Sequence, residues 1–138
     1  MHSLFCYGTL MYPPLLNHLL GGEADVREAS LIGYRCLAVK GEKYPGIVPS
    51  TGERVRGLLV RRVPAGAWQR LDRYEGEFYR RESVEVKCAD GRHDNAWAYV
   101  FRPRFRSRLS RRAWCYDAGA RAYARSQLAA LLAPGRAR

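Results

Sequence analysis

Residues 4–22 read LFCYGTLMYPPLLNHLLGG, and this stretch sets the pattern for the rest of the chain. Leu4–Tyr7 is short, apolar and rich in β-forming residues, so it predicts a strand that stops at Gly8. Pro13-Pro14 suits the first positions of a helix, where a missing N–H costs nothing, and leucines follow until Gly21-Gly22 ends the helix. A strand is therefore followed, after a glycine turn, by a helix.

The same alternation of strands and helices continues outward from this stretch. The predicted elements are strands at roughly 27–39 and 54–63, a helix from Pro64 to about Tyr74 that Gly76 stops, a hairpin of Ser83–Lys87 and Ala96–Phe101 with its turn at Asp90-Gly91, and a helix at about 112–132 bearing Trp114, Tyr123, Leu128, Leu131 and Leu132. Tyr44–Pro49 is too rich in Pro and Gly for a regular element. The order β-α-β-β-α-β-β-α predicts one α+β domain over residues 1–138, and it leaves open whether the sheet closes into a barrel.

The charge of the chain is concentrated near its C-terminus. The 138 residues are 47% hydrophobic, which is enough for one packed core, and they carry a net charge of +11. Residues 1–101 hold 14 basic and 12 acidic residues, whereas residues 102–138 hold 10 arginines and one acidic residue, Asp117. We call residues 102–138 the arginine-rich segment.

Several classes of protein are not indicated by the sequence. The apolar stretch from Leu4 to Leu20 has no basic residues before it and contains Gly8 and Pro13-Pro14, so we read it as neither a signal peptide nor a membrane span. The cysteines show no Cys-x-x-Cys pair, and we expect a cytoplasmic protein with reduced thiols. The four cysteines are Cys6, Cys36, Cys88 and Cys115.

No motif for a metal, a cofactor or a covalent intermediate is present. His2, His18 and His93 lack ligand spacing to cysteine or carboxylate, so no metal site is predicted. The chain has no Gly-x-Ser-x-Gly elbow, phosphate loop or dinucleotide fingerprint, so we expect no cofactor. Cys6 lies in a strand that looks buried, and this placement favours a core residue over a nucleophile.

Glu75 is the candidate catalytic residue. Trp68, Leu71 and Glu75 are spaced three and four apart, so the carboxylate continues an apolar stripe of the second helix. Desolvation and the negative end of the helix dipole both raise the pKa of such a carboxyl, which favours a general base. The alternative is that Glu75 lies at the rim of the stripe and reaches water or pairs with an arginine.

Two loops are candidates for the walls of a binding pocket. Tyr7-Gly8-Thr9-Leu10 leaves the end of a strand, and the amides from Gly8 to Met11 could bind an anion; the alternative is an ordinary strand-to-helix connection. Tyr44-Pro45-Gly46 could line the same pocket or merely turn the chain.

These residues resemble a known family. Four blocks carry the resemblance: FCYGTL at 5–10, YPGI at 44–47, VRGLLV at 55–60 and LDRYEGEFYRR at 71–81. They occur in the order found in the γ-glutamylcyclotransferase-like proteins, the group that includes the γ-glutamylamine cyclotransferases and the AIG2-like domain. The resemblance covers residues 4–101 and implies a small mixed β-barrel flanked by helices, with a pocket at one end.

The resemblance also implies a reaction. The α-amine of a γ-glutamyl amide attacks its own γ-carbonyl, giving 5-oxoproline and a free amine. Glu75 matches the catalytic glutamate of the family, and the amides of Tyr7–Leu10 match the loop that holds the γ-glutamyl group. Tyr79 could lend a hydroxyl to the substrate or belong to the core. Within the arginine-rich segment no block aligns, and this segment is expected to wall the site on the side of the leaving amine.

Two other functions compete with this reaction. The same fold could bind a small γ-glutamyl-like metabolite without turnover. The arginines near Phe101 and Phe105 could instead bind nucleic acid, with the two rings as stacking platforms. We rank nucleic acid below the small-molecule hypotheses because 21 arginines against 3 lysines indicate a general preference for arginine. The arginines in question are Arg102, Arg104, Arg106, Arg108, Arg111 and Arg112. Neither a membrane partner nor a particular oligomeric state is predicted.

Overall fold

The backbone follows the predicted order of elements, with one strand added near the C-terminus. A computed structural model describes residues 2–134. Its elements are β1 (His2–Cys6), a short 3-10 helix (Thr9–Met11), α1 (Pro13–Leu20), β2 (Asp25–Val39), β3 (Pro45–Val63), α2 (Ala67–Glu75), β4 (Tyr79–Cys88), β5 (His93–Phe101), a second 3-10 helix (Pro103–Arg108), β6 (Leu109–Ala113) and α3 (Ala118–Leu132).

Five of the strands close into a barrel. Their order is β3-β1-β5-β4-β2, and β2 pairs back onto β3, so the sheet has no open edge between its first and last strands. β1 runs parallel to β5, with Leu4 opposite Trp97, and the other pairs are antiparallel. β6 is added outside the ring, on β2. This architecture confirms the small mixed β-barrel flanked by helices.

The prediction that Tyr44–Pro49 is irregular was wrong, because residues 45–49 form the start of β3. Pro45 lies opposite Ala38 and Pro49 opposite Tyr34 in the antiparallel pair. Within residues 2–134 this part of β3 has β2 as its one hydrogen-bonded neighbour. A proline whose missing N–H would face away from that neighbour costs no ladder bond. The carbonyl of Pro45 accepts a hydrogen bond from Tyr79 Oη at 2.6 Å, which fits this orientation.

The final helix begins later than predicted. α3 starts at Ala118 instead of about residue 112, because Asp117 caps it by accepting a hydrogen bond from the N–H of Ala120 at 2.9 Å. The preceding residues pair with β2 as β6, and the N–H of Trp114 donates to the carbonyl of Cys36 at 3.2 Å. Trp114 therefore belongs to the sheet side of the molecule and not to the helix.

The packing of α1 against α2 fixes the end of the barrel where Glu75 lies. Arg70 of α2 donates from Nε to the carbonyl of Leu19 at 2.8 Å and so satisfies the C-terminal end of α1. Leu71 is fully buried. α2 begins at Ala67 instead of Pro64 and ends where Gly76 takes a φ of +83°, a conformation that favours glycine. Glu75 is thus the last residue of a helix held firmly against the barrel.

One contact between β1 and β3 is close enough to exclude a side chain. A Cβ atom built on Gly57 would lie 2.2 Å from the carbonyl oxygen of Cys6 and 2.8 Å from the ring of Phe5. The missing side chain therefore lets β1 and β3 approach each other beside the cavity described below.

Within residues 2–134, no helix combines the length and the apolar character needed to cross a membrane.

Candidate active site

A cavity of about 190 Å³ lies at one end of the barrel. The end of β1, the loop after it, the start of β3, the end of α2 and parts of β4, β5 and α3 all contribute to its wall. Eight of the nine predicted site residues line it: Tyr7, Gly8, Thr9, Leu10, Tyr44, Pro45, Glu75 and Tyr79. Segments far apart in sequence therefore converge on one space.

The ninth predicted residue, Gly46, does not line the cavity. A Cβ atom at this position would lie 2.5 Å from Cδ1 of Phe101, whose side chain is fully buried. The missing side chain lets β3 pass close to β5, which brings its neighbour Pro45 to the cavity wall. The role of Gly46 is therefore to permit close packing of the backbone.

The carboxyl group of Glu75 faces the cavity without a partner. Protein atoms surround it on most sides, and it retains a small accessible area because the cavity is open to solvent. Within residues 2–134 its carboxylate forms neither a hydrogen bond nor an ion pair. Burial raises its pKa to about 8, and the negative charge of Asp72 adds a smaller upward contribution. Glu75 is thus mostly protonated at neutral pH and can exchange a proton with a ligand.

Asp72 belongs to a hydrogen-bond network that includes Tyr99, a residue of the cavity wall. Its carboxylate accepts a hydrogen bond from Tyr99 Oη at 2.7 Å and two from Arg81, at 3.0 and 3.1 Å. The guanidinium of Arg81 lies 4.7 Å from the ring centroid of Trp68. Tyr7 Oη donates to the carbonyl of Tyr99 at 2.6 Å, which joins β1 to this network. Asp72 is thereby held in place while its charge acts on Glu75.

The hydroxyl groups around the cavity differ in what they can offer a ligand. Tyr79 Oη donates to the carbonyl of Pro45, so its hydrogen is already used in a bond that joins two parts of the cavity wall. Thr9 Oγ1 and Tyr74 Oη share one hydrogen bond at 3.0 Å, so one of their two hydroxyl hydrogens stays free. Burial raises the pKa of Tyr74 and of Tyr79, so both stay neutral. The Thr9–Tyr74 pair is therefore the donor that a bound group can use.

The loop after β1 offers three backbone amides. The sequence predicted amides from Gly8 to Met11, but the N–H of Met11 donates to the carbonyl of Gly8 at 3.0 Å and is occupied. The hydrogen bonds formed within residues 2–134 leave the N–H groups of Gly8, Thr9 and Leu10 without an acceptor. All three residues line the cavity. Consecutive amides of this kind suit a carboxylate or an oxyanion.

Cys6 lies in the same wall and is not placed as a nucleophile. Its side chain is buried, and burial raises the pKa of its thiol well above the ordinary value, with Glu75 adding to the effect. A neutral thiol is a weak nucleophile. The structure agrees with the expectation that Cys6 is a core residue.

Sequence reasoning missed part of the wall. The missed residues are Phe5, Cys6, Tyr74, Phe78, Tyr99, Tyr123 and Gln127. Tyr74 and Phe78 flank Glu75 within the block at 71–81, so their proximity in sequence was a usable signal. Tyr123 and Gln127 come from α3, and no local pattern shows which face of that helix meets the barrel.

The aromatic residues of the arginine-rich region are not free platforms for stacking. Phe101 is fully buried in the core, so its ring is not available for stacking on nucleic acid, as that alternative required. Phe105 packs against Phe78 with ring centroids 4.9 Å apart, and Arg104 lies 4.8 Å from its centroid. Phe105, which lies between two arginines in the sequence, is partly buried because its ring packs against the apolar core.

Comparison with known proteins gives one family. The family model described as gamma-glutamyl cyclotransferase, AIG2-like, matches residues 4–118. The AIG2-like protein D of Arabidopsis thaliana is 32% identical over 90 residues, which are 65% of this chain and 59% of that protein. The chain spans between 52% and 59% of the length of the curated plant relatives that it matches.

Solved structures show the same architecture. A solution structure of an Arabidopsis thaliana protein, 27% identical, covers 94% of this chain and 79% of its own with a TM-score of 0.73. A structure named gamma-glutamyl cyclotransferase covers 73% of this chain and 66% of its own with a TM-score of 0.64. Its identity of 18% shows likeness of fold alone.

Proposed function

The chain belongs to the γ-glutamyl cyclotransferase, AIG2-like family, as the resemblance predicted, and on this premise we propose that it converts a γ-glutamyl amide to 5-oxoproline and a free amine. The observation that carries the proposal is the unpaired carboxyl group of Glu75, which faces a small cavity with its pKa raised to about 8. The α-amino group of a peptide ionises at about 8, and the α-carboxylate beside the amine of a γ-glutamyl group raises its pKa somewhat, so a proton passes between this amine and Glu75 at a modest cost in free energy.

Glu75 acts first as a base and then as an acid. Its carboxylate accepts a proton from the α-ammonium of the substrate, and the freed nitrogen attacks the γ-carbonyl carbon to close a five-membered ring. The bond from that carbon to the leaving nitrogen then breaks as protonated Glu75 donates the proton to it. The ring nitrogen, which still carries two hydrogens after the attack, releases its second proton to the departing amine or to solvent. The products are 5-oxoproline and the free amine, and Glu75 returns to its ionised form. Ring closure is intramolecular, so correct positioning supplies much of the rate.

The loop after β1 supplies the positioning. The free amides of Gly8, Thr9 and Leu10 fit the α-carboxylate of the γ-glutamyl group or the oxyanion that forms on the γ-carbonyl. The free hydroxyl hydrogen of the Thr9–Tyr74 pair adds one more donor. The proposed reaction uses Glu75 to carry the proton and the loop amides to stabilise the oxyanion, and it is written without a metal or cofactor.

The proposal is tested by assaying the release of 5-oxoproline from γ-glutamyl dipeptides, γ-glutamyl-ε-lysine and γ-glutamyl polyamines. Turnover of at least one of them supports the cyclotransferase. Stoichiometric binding with no product from any of them would contradict it and favour the noncatalytic binding module.

The rate should depend on pH through Glu75. We expect kcat/KM to fall about tenfold for each pH unit below about 8, because the protonated carboxyl group cannot accept the ammonium proton. Initial rates measured from pH 5.5 to 9 check this expectation. A rate that stays level down to pH 5.5, as an ascending limb at the ordinary glutamate value of 4.5 would give, would show that the pKa of Glu75 is not raised.

Replacing Asp72 should move the ascending limb of the kcat/KM–pH profile to lower pH. Asp72→Asn removes a negative charge that raises the pKa of Glu75 and leaves the cation of Arg81 behind. We expect the pKa of Glu75 to fall by less than half of the difference between its raised value and the ordinary glutamate value, since burial is the larger cause of the rise. Glu77→Gln is the matched control, because it removes the same charge from an exposed residue beside α2. A limb that moves equally in both variants would contradict a specific role for Asp72.

A further inference from the structure

One arginine of the arginine-rich segment lies beside the cavity. The guanidinium carbon of Arg108 is 5.0 Å from the ring centroid of Phe78, and Phe78 lines the cavity. The carbonyl of Arg108 accepts a hydrogen bond from the N–H of Lys40 at 2.8 Å, which fixes its backbone next to the β2–β3 turn. The side chain is exposed, so its charge faces solvent at the rim of the cavity.

Arg108 also lies near a second residue of the cavity wall. Tyr44 lines the cavity, and the nearby cation of Arg108 lowers the pKa of its hydroxyl against the larger upward effects of burial and of Glu42. Arg108 therefore lies close to both Phe78 and Tyr44.

Arg108 has no acidic partner of its own. Among residues 2–134 the ion pairs involve five cations, and none of them lies between residues 102 and 112. Glu42 is near Tyr44, yet it forms no ion pair with Arg108. A guanidinium that rests on an aromatic ring is partly pre-organised and weakly hydrated, and its donors match the two oxygens of a carboxylate.

Resting on the proposed function, we propose that Arg108 determines specificity by binding a carboxylate carried by the leaving amine. The γ-glutamyl group occupies the inner cavity at Glu75 and the loop amides, so the leaving group must extend towards the rim. Preferred substrates are then γ-glutamyl derivatives of amino acids, in place of γ-glutamyl derivatives of simple alkylamines or polyamines. A polyamine would carry a positive charge towards Arg108 and be repelled.

The test compares substrates that differ in the leaving group alone. γ-Glutamyl propylamide is the neutral reference, and γ-glutamyl amides of glycine, β-alanine, 4-aminobutyrate and 6-aminohexanoate place a carboxylate at increasing distance from the scissile bond. The spacing with the highest kcat/KM reports how far Arg108 lies from the reacting carbon.

Variants assign any preference to the arginine. We expect Arg108→Gln to lower kcat/KM for the best carboxylate substrate by roughly 10- to 30-fold, the size of one charge-assisted hydrogen bond that the bound substrate shields from water, mainly through KM. The kcat/KM for γ-glutamyl propylamide should change less than about twofold, which is well below the effect of losing one such contact. Arg108→Lys should recover part of the preference because it keeps the charge. Arg106→Gln, which removes the same charge from an exposed residue, should behave as the wild type.

The outcomes separate this inference from the proposed function. A wild-type protein that cyclises the amides but shows no preference for a carboxylate would overturn the inference alone. Equal losses in Arg108→Gln for propylamide and the carboxylate substrates would also overturn it. Absence of 5-oxoproline from every amide with the wild-type protein would overturn the proposed function and the inference together.

Discussion

The Glu75→Gln variant should release 5-oxoproline roughly a thousandfold more slowly than the wild type, the size of effect typical for loss of a general acid–base group. Glutamine keeps the shape of the side chain and can still donate a hydrogen bond, but it can neither accept the ammonium proton nor return it to the leaving amine. Binding of the γ-glutamyl group should change little, because the amides of the loop after β1 remain. Single-turnover and steady-state assays on the best substrate measure the loss.

The same variant should be more stable than the wild type at alkaline pH. The folded protein holds the pKa of Glu75 at about 8, whereas an unfolded chain has it near 4.5. Between these values the folded state binds more protons, so the contribution of Glu75 to the free energy of unfolding is largest below pH 4.5 and is lost as the pH rises through 8. An amide has no such dependence. We expect the free energy of unfolding of Glu75→Gln, relative to that of the wild type, to be higher by a few kcal/mol at pH 8.5 than at pH 5.

Urea unfolding at pH 5 and pH 8.5 measures the difference between the two proteins, and Glu77→Gln serves as the control in both assays. A slow Glu75→Gln variant that is also unstable at both pH values would mean that the mutation damages the fold. Full activity in this variant would refute the role of Glu75 in the chemistry.

The second large effect is on stability. Gly57→Ala should lower the free energy of unfolding by about 3 kcal/mol or more, beyond the usual cost of one extra methyl group in a core. The new Cβ would meet the carbonyl oxygen of Cys6 at 2.2 Å, and backbone of a barrel strand cannot move aside as a flexible side chain can. β1 would have to separate from β3, which also displaces the loop that begins at Tyr7. Thermal and urea unfolding measure the loss.

Gly66→Ala is the matched control for this change. Gly66 has φ −71° and ψ −14°, which alanine adopts freely, and nothing lies within 4 Å of the position of its Cβ. The free energy of unfolding of this control should change by less than about 1 kcal/mol, because the lower entropy of the unfolded chain offsets the weaker N-cap. Equal stability of Gly57→Ala and Gly66→Ala would show that β1 and β3 tolerate a wider separation.

Local patterns predicted the parts of the fold that local interactions decide. Pro13-Pro14 and Gly21 mark the ends of α1, and Asp90-Gly91 marks the hairpin, because capping and turn geometry depend on neighbouring residues. Pro45 belongs to a strand for a reason that lies elsewhere in the chain, since a proline is tolerated where its missing N–H faces no partner.

The residues of the candidate site also fall into two groups, those that a local sequence pattern reveals and those that only tertiary packing brings to the cavity. Glu75 was found because its position on an apolar helical stripe is visible in the sequence. Tyr99 and Gln127 were missed because each reaches the cavity through tertiary packing of β5 or α3. Barrel closure itself was implied by the resemblance and could not be derived from strand periodicity, which is the same in open and closed sheets.

The place of β1 between β3 and β5 has a consequence for the order of folding. β1 can complete the barrel only after β5, which ends at Phe101, is available to pair with it, so closure must follow the synthesis of β5. The β2–β3 hairpin, joined by a short connection, can form earlier. Tyr7 and Glu75 reach the same cavity only when the ring is complete. During refolding, activity should therefore recover later than the β2–β3 hairpin forms. Its recovery marks the step at which the barrel closes.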